Sequence, residues 1–301
     1  MRASTHTEIY RPFTGTLREH PRRWVTIGVS SAKQGFKRKL PALLLFTPVA
    51  IGCVIACFRV YFRFQLLSGD LVNINSPGAA GITLMVTETL GDVVSNIFTY
   101  TQGMAFFSLM IVAWYGAGLI AEDRRLGANL LYFSRPISRL DYLLGKGAGA
   151  AFFGFLALTL PCLLVCSVAT FTSPEWSFIV EEWASILKVI LFSSIWVGTV
   201  TVLVLTISSL VGRKSHALIG IIGAIVLSSG VSTVLAHLFN ENSFSLLNLF
   251  QNFERLGEWM FDRWNPDRKV TITQTAAALG GLWTLCLFIL AVRVRKMEVV
   301  A

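Results

Sequence analysis

The chain has 301 residues, of which 54% are hydrophobic and only 14% charged, with a formal net charge of +9. A soluble domain carries about 25% charged residues; here there are too few to cover a water-facing surface, which excludes an ordinary soluble protein. The basic excess flanks apolar runs instead of lining one soluble face, so it points to anionic lipid and membrane topology, not to nucleic acid.

Residues 1–40 are polar and basic. No short apolar run there leads to a small-residue cleavage site, so the first span is expected to serve as its own insertion signal. Within residues 21–40, Trp24, Ile27, Gly28, Ser31, Gly35 and Phe36 recur at helical spacing among basic residues. That pattern predicts an amphipathic helix lying on the inner membrane surface. A bilayer crossing needs about 20 apolar residues at about 1.5 Å each. Six stretches qualify: 41–62, 97–121, 147–171, 184–211, 217–239 and 274–292. Only Gly212-Arg213-Lys214-Ser215-His216 separates the fourth from the fifth, which predicts a tight turn between antiparallel helices. Residues 243–261 place Leu246, Leu249, Phe250, Phe253, Leu256 and Met260 three to four apart, with Asn252, Glu254, Arg255 and Glu258 on the other face. This second amphipathic helix is expected outside, before the last span, where it either rests on the interface or dips into it. The expected fold is all-α and polytopic: a segment 1–40, a six-span membrane domain 41–292 and a tail 293–301.

Orientation follows from Lys and Arg. They crowd the N-terminal segment, the loop after the second span (Arg124, Arg125, Arg135, Arg139, Lys146), the turn after the fourth (Arg213, Lys214) and the tail (Arg293, Arg295, Lys296). With six spans all four fall on one side, which is therefore expected to be cytoplasmic together with both termini. The loop after the third span, on the other side, holds Glu175, Glu181 and Glu182 and no Lys or Arg. Arg59, Arg63 and Lys188 fall at outer span ends and are expected to snorkel to the interface.

The cysteines lie inside apolar runs, and Cys53/Cys57 and Cys162/Cys166 each share a helix face. Two sulfurs suit a soft metal, but no third ligand stands at the required spacing, so they are read as small buried hydrophobes and no metal is expected. Ser228, Ser229 and Ser232 precede His237 on one helix, yet the glycine-flanked turn of a serine nucleophile is missing; such serines pack between helices or hydrogen-bond across them. Glu88 and Asp92, four apart before the second span, either line an outer cation vestibule or are solvated surface charge, and the second reading is preferred.

Residues 120–146 read Ile-Ala-Glu-Asp-Arg-Arg-Leu-Gly-Ala-Asn-Leu-Leu-Tyr-Phe-Ser-Arg-Pro-Ile-Ser-Arg-Leu-Asp-Tyr-Leu-Leu-Gly-Lys. Ser134-Arg135-Pro136 is a turn signal. Ser138 is expected to cap a new helix beginning near Arg139, with Asp141 in its first turn and Leu140, Leu143 and Leu144 on its apolar side. A short capped helix projecting from two spans is suited to docking a soluble partner and passing a push to the membrane domain.

This segment resembles the type 2 ABC (ABC-2) exporter permeases. Glu122 and Asp123 match the family's acidic position at the end of the second span, and Gly127 its glycine. Ser134, Pro136, Ser138 and Arg139 match the central run, and Leu143, Leu144, Gly145 and Lys146 the closing one; Gly127-Ala128-Asn129-Leu130 departs from the usual Gly-Thr-Leu. The resemblance implies docking of a separate ABC ATPase subunit through the loop 122–146, with Glu122, Asp123, Gly127, Arg135, Pro136, Ser138, Arg139 and Lys146 as the coupling residues. Gly145-Lys146 lies in no phosphate-binding loop, so the chain is not expected to be an enzyme or to hold a cofactor; ATP and Mg would sit on the partner. The resemblance further implies a second permease copy, a multi-pass location in a bacterial plasma (inner) membrane, and a pore between the copies built from the second and fifth spans. Gly220, Gly223 and Ser228 are then the pore-lining candidates. A non-transporting membrane anchor for a cytoplasmic complex is the alternative. The apolar spans, with Ser, Thr and Gly, lean toward an amphipathic or hydrophobic cargo.

Overall fold

In lipid a backbone has no water to bond, so each apolar stretch must satisfy its N–H and C=O groups internally as a helix. The computed structural model describes residues 23–37, 39–67, 90–128, 137–173, 176–264 and 269–298. Its helices are α1 (Arg23–Phe36), α2 (Lys39–Leu67), α3 (Val93–Leu126), α4 (Arg139–Ala157), α5 (Thr159–Thr172), the short α6 (Ser177–Glu181), α7 (Trp183–Leu210), α8 (Lys214–Phe239), α9 (Leu249–Met260) and α10 (Ile272–Glu298), with a 3₁₀ segment at Asn242–Leu247 before α9. Six of these units are long and apolar enough to span a bilayer: α2, α3, α4 with α5, α7, α8 and α10. The protein is thus all-helical with six membrane-spanning helices.

The third span was expected to be one helix and is instead interrupted at Leu158. Pro161 has no N–H, so the carbonyl of Ala157 loses its helical donor. Leu158 itself stays bonded to Gly154 (2.9 Å), which keeps the two halves a single crossing.

The helix α3 lies at the centre, packed by α2, α4, α7 and α8. Side-chain Cβ atoms added at Gly116 and Gly154 would both come within 2.7 Å of valines on α7, so α3, α4 and α7 meet at nearly backbone distance. Tyr115 and Phe153 stack across α3 and α4 at 3.8 Å. The α10 helix joins α7 through polar groups: Trp283 Nε1 donates to Thr199 Oγ1 (2.7 Å), and Thr206 Oγ1 donates to the Cys286 carbonyl (3.3 Å). Ile120, Leu205 and Leu290 form a small core with Leu143 packed on it. That cluster brings the C-terminal parts of α3, α7 and α10 and the start of α4 to one end, the basic end.

The amphipathic helix α1 packs on α4: Ile27, Gly28 and Ser31 are buried there, while Trp24 and Phe36 of the same stripe stay exposed. The contact is close because Gly145 lacks a side chain: a Cβ there would stand 2.6 Å from Ile27 Cβ.

At the opposite end the second amphipathic segment dips into the bundle. The chain leaves α8 through Asn240, in the left-handed region at φ 51°, and Asn248 Nδ2 reaches back to Ser229 Oγ (3.0 Å). Phe250 and Phe253 then pack on Trp196, at the midpoint of α7 and about 20 Å from its end. Phe261, just past α9, packs on Phe98 and Phe192 nearer that end. The helix therefore climbs from mid-depth to the surface. Asn252 and Arg255, expected on its polar outer face, are buried: Asn252 donates to the Leu246 carbonyl (2.7 Å), while Arg255 donates to Asn252 Oδ1 (3.3 Å) and to Ser245 Oγ.

Asp92 is not simply solvated. It caps α3 by accepting from the Ser95 N–H (2.8 Å) and pairs with Arg263 (2.7 Å); Glu88 lies outside the described residues. Lys188 pairs with the exposed Asp262. Cys53, Cys162, Cys166 and Cys286 are buried and all five cysteines are free thiols; no group of metal-ligating residues occurs among the described residues.

Candidate functional site

The basic end gathers the residues singled out between the second and third spans. Gly127 ends α3: at φ 66° it adopts the left-handed conformation that costs glycine least, and its N–H bonds to the carbonyls of Arg124 and Asp123. Ser138 opens α4 with a reciprocal cap, as its sequence predicts. Its Oγ accepts from the Asp141 N–H (3.0 Å), and Asp141 Oδ2 accepts from the Ser138 N–H (3.3 Å). Arg135 and Pro136 lie outside the described residues.

Four residues into the new helix the chain turns from capping to charge. Tyr142 and Lys146 sit one turn apart and face α3, where both meet the same oxygen of Asp123. The Tyr142 hydroxyl donates to Oδ2 at 2.9 Å and Lys146 Nζ stands 2.8 Å from it. Tyr142 is fully buried and the Lys146 side chain is 5% exposed. Gly145 lies between them under α1, so the interface helix roofs this pair. Asp123 and Lys146 thus tie α4 to α3.

Two further ties hold α3 to the α7–α8 turn. Arg124 Nη1 donates to the Ser209 carbonyl (2.6 Å). Ser208 Oγ donates to the Ala117 carbonyl (2.7 Å) and accepts from the N–H groups of Ile120 (3.3 Å) and Ala121 (3.1 Å). Beyond the turn, the Lys214 ammonium stands 4.6 Å from the centre of the Trp114 ring, a cation–π distance. Glu122 and Lys214 flank Gly118 on a small cavity of about 120 Å³, whose wall also includes Gln34 of α1 and Asp123 and Lys146. Leu126 on its wall is exposed, and Arg139, Leu140 and Leu144 are exposed on α4.

Tyr142, Trp114, Lys214, Ser208 and Ser209 were not singled out from sequence. Tyr142 had a signal, its i, i+4 spacing to Lys146. Ser208, Ser209 and Lys214 meet α3, Lys214 on Trp114, across long sequence separation, which no local pattern encodes.

The pore-lining candidates are scattered. Gly220 faces Ile207 of α7 at 3.1 Å, while Gly223 has open space where a Cβ would go. Ser228 donates to the Ile225 carbonyl (2.9 Å) and lines an apolar cavity between α7, α8, α9 and α10. In its most apolar window α3 is 67% buried by its own chain and α8 only 11%, so of these two spans α8 has the free face.

No curated protein matches the chain. A family model described as ABC-2 family transporter protein matches residues 34–298, which take in all six spans. The chain belongs to the ABC-2 family of transporter membrane proteins.

Proposed function

We propose that this chain is the permease subunit of an ATP-driven exporter, docking a separate ATPase subunit through its basic end and forming half of a pore with a second copy. ABC-2 permeases are membrane subunits that normally work with an ATPase subunit. The observation that carries the reading for this chain is the way α4 begins. A capped helix start stands beside exposed Leu140 and Arg139, while Asp123, Tyr142 and Lys146 lock the same turns to the central span. These contacts tie the start of α4 to α3, and Arg124 and Ser208 tie α3 to α7, which gives a push at Arg139 and Leu140 a contiguous set of contacts into the bundle.

In this reading Arg139, Leu140 and Glu122 make the contact, whereas Asp123, Gly127, Ser138 and Lys146 position it. The basic end faces the cytoplasm by the positive-inside rule, in a bacterial inner membrane, and ATP and Mg are held by the partner. Because α3 is enclosed by its own bundle, the free face of α8 supplies this copy's pore wall, with Gly223 at its centre.

The test is co-purification with the ATPase subunit after substitution. Arg139→Glu and Leu140→Asp, both at exposed positions, are expected to strip the ATPase subunit from a permease that still unfolds at the wild-type temperature. Retention of the subunit by both variants would move the docking surface elsewhere.

A further inference from the structure

Two cavities line one groove between α8, the 3₁₀ segment, α9 and α10, at the end opposite the basic one. The cavity nearer the surface, about 680 Å³, is walled by Ser232, Thr233, Asn240, Gln251 and other polar groups, with His237, Lys269 and the buried Arg255 supplying donors and Glu254 the one carboxylate among the described lining residues. The cavity nearer mid-depth, about 440 Å³, is walled almost wholly by apolar side chains, among them Ile225, Leu249, Leu279 and Leu285.

The two share no lining residue but follow one another along the same elements. On α8, Ala224, Ile225 and Ser228 line the apolar section; Ser232, Thr233, Ala236, His237 and Asn240 line the polar one. These positions are three to four apart, so they form one helix face, extending about 24 Å at 1.5 Å per residue. On the 3₁₀ segment Ser245 lines the polar section and Leu246 and Leu247 the apolar one; on α9 Gln251, Glu254 and Arg255 line the polar section and Leu249 and Asn252 the apolar one.

We propose that this groove binds an amphiphile with one alkyl or acyl chain and an anionic, phosphate-type headgroup. The apolar section fits the chain. The headgroup meets Arg255, whose guanidinium is fixed by Asn252 and Ser245, together with Lys269 and His237. A planar guanidinium already held in place loses little freedom on accepting a phosphate or carboxylate. A buried arginine inside a membrane domain is costly and marks a functional position by default. With the basic end cytoplasmic, the polar section opens toward the outer leaflet. The assignment concerns binding and is independent of ATPase docking.

The probe is dodecyl phosphate carrying a diazirine in its chain, photolysed with the full chain in phosphatidylcholine nanodiscs, with adducts located by peptide mass spectrometry. Adducts are expected on residues 224–228 and 278–285, well above those on the exposed Leu43 and Leu44 of α2, which serve as the lipid-facing control. Replacing the exposed headgroup residues together, His237→Gln with Lys269→Gln, is expected to lower groove labelling about tenfold, the scale of one lost charge-assisted hydrogen bond. Labelling of Leu43 and Leu44, and thermal unfolding, stay unchanged. A maltoside-headed probe of the same chain is expected to label the groove no more than the control positions. Excess inorganic phosphate is expected not to displace the dodecyl phosphate, because it lacks the apolar half. Groove labelling at the level of Leu43, labelling indifferent to the double substitution, equal labelling by the maltoside, or displacement by inorganic phosphate would each overturn the assignment.

Discussion

Asp123 Oδ2 takes both a phenol and an ammonium, and each donor depends on the other side chains for its place. Lys146 is out of water, so removing its partner leaves an uncompensated charge, typically a loss of about 3–5 kcal/mol. Asp123→Asn and Lys146→Met are each expected to destabilise on that scale. Asp123→Asn combined with Lys146→Met, which removes both charges, is expected to be more stable than either single variant. Tyr142→Phe removes one hydrogen bond and should cost about 1 kcal/mol. Thermal unfolding in one detergent orders the four; a Lys146→Met protein as stable as wild type would show that the pair holds nothing. Both charged residues were legible in the sequence as members of the coupling segment. Their inward orientation was not, because it depends on α1 folding over Gly145, a contact between residues more than a hundred positions apart.

At the scale of elements, the six spans could be read from apolar run lengths alone, since a helix is the only solution lipid allows such a run. The break at Leu158 could not, because hydropathy does not register a lost N–H. For α9 the period and the apolar side were right, and of the polar side Glu254 is exposed while Asn252 and Arg255 are buried. Asn252 and Arg255 are polar, and polar residues at helical spacing suggest a wet face, but Ser245 and the Leu246 carbonyl meet them inside. The same distinction between pattern and partner separates the glycines. Gly145→Val drives a side chain into Ile27 and the Trp24 carbonyl, so it is expected to lift α1 from α4 and cost about 1–3 kcal/mol by overpacking. Gly223→Ala enters open space in a helix and should be neutral or stabilising by up to about 1 kcal/mol. Amide hydrogen exchange over residues 23–36 reads α1 directly: it is expected to quicken when Gly145→Val is introduced and to keep its wild-type rate in Gly223→Ala. Unchanged exchange in the Gly145→Val protein would mean that the glycine is not what brings the two helices together.

Over the whole molecule, the central span is braced at both ends by different chemistry. At the basic end Asp123, Arg124 and Ser208 tie α3 to α4 and α7. At the other, Arg263 reaches Asp92 and Ser95 at its first turn (2.7 Å each), and aromatic rings of α9 pack on it lower down. A span tied at both ends to its neighbours suits the proposed coupling to a separate ATPase subunit. The most direct measurement is to purify the tagged chain from its native membrane in lipid nanodiscs, identify what accompanies it, and follow ATP hydrolysis. A P-loop ATPase at one copy per permease is expected, with hydrolysis that falls when Arg139→Glu is introduced. A folded permease recovered without any ATPase, or one whose bound ATPase is indifferent to that substitution, would contradict the docking of a motor at this basic end.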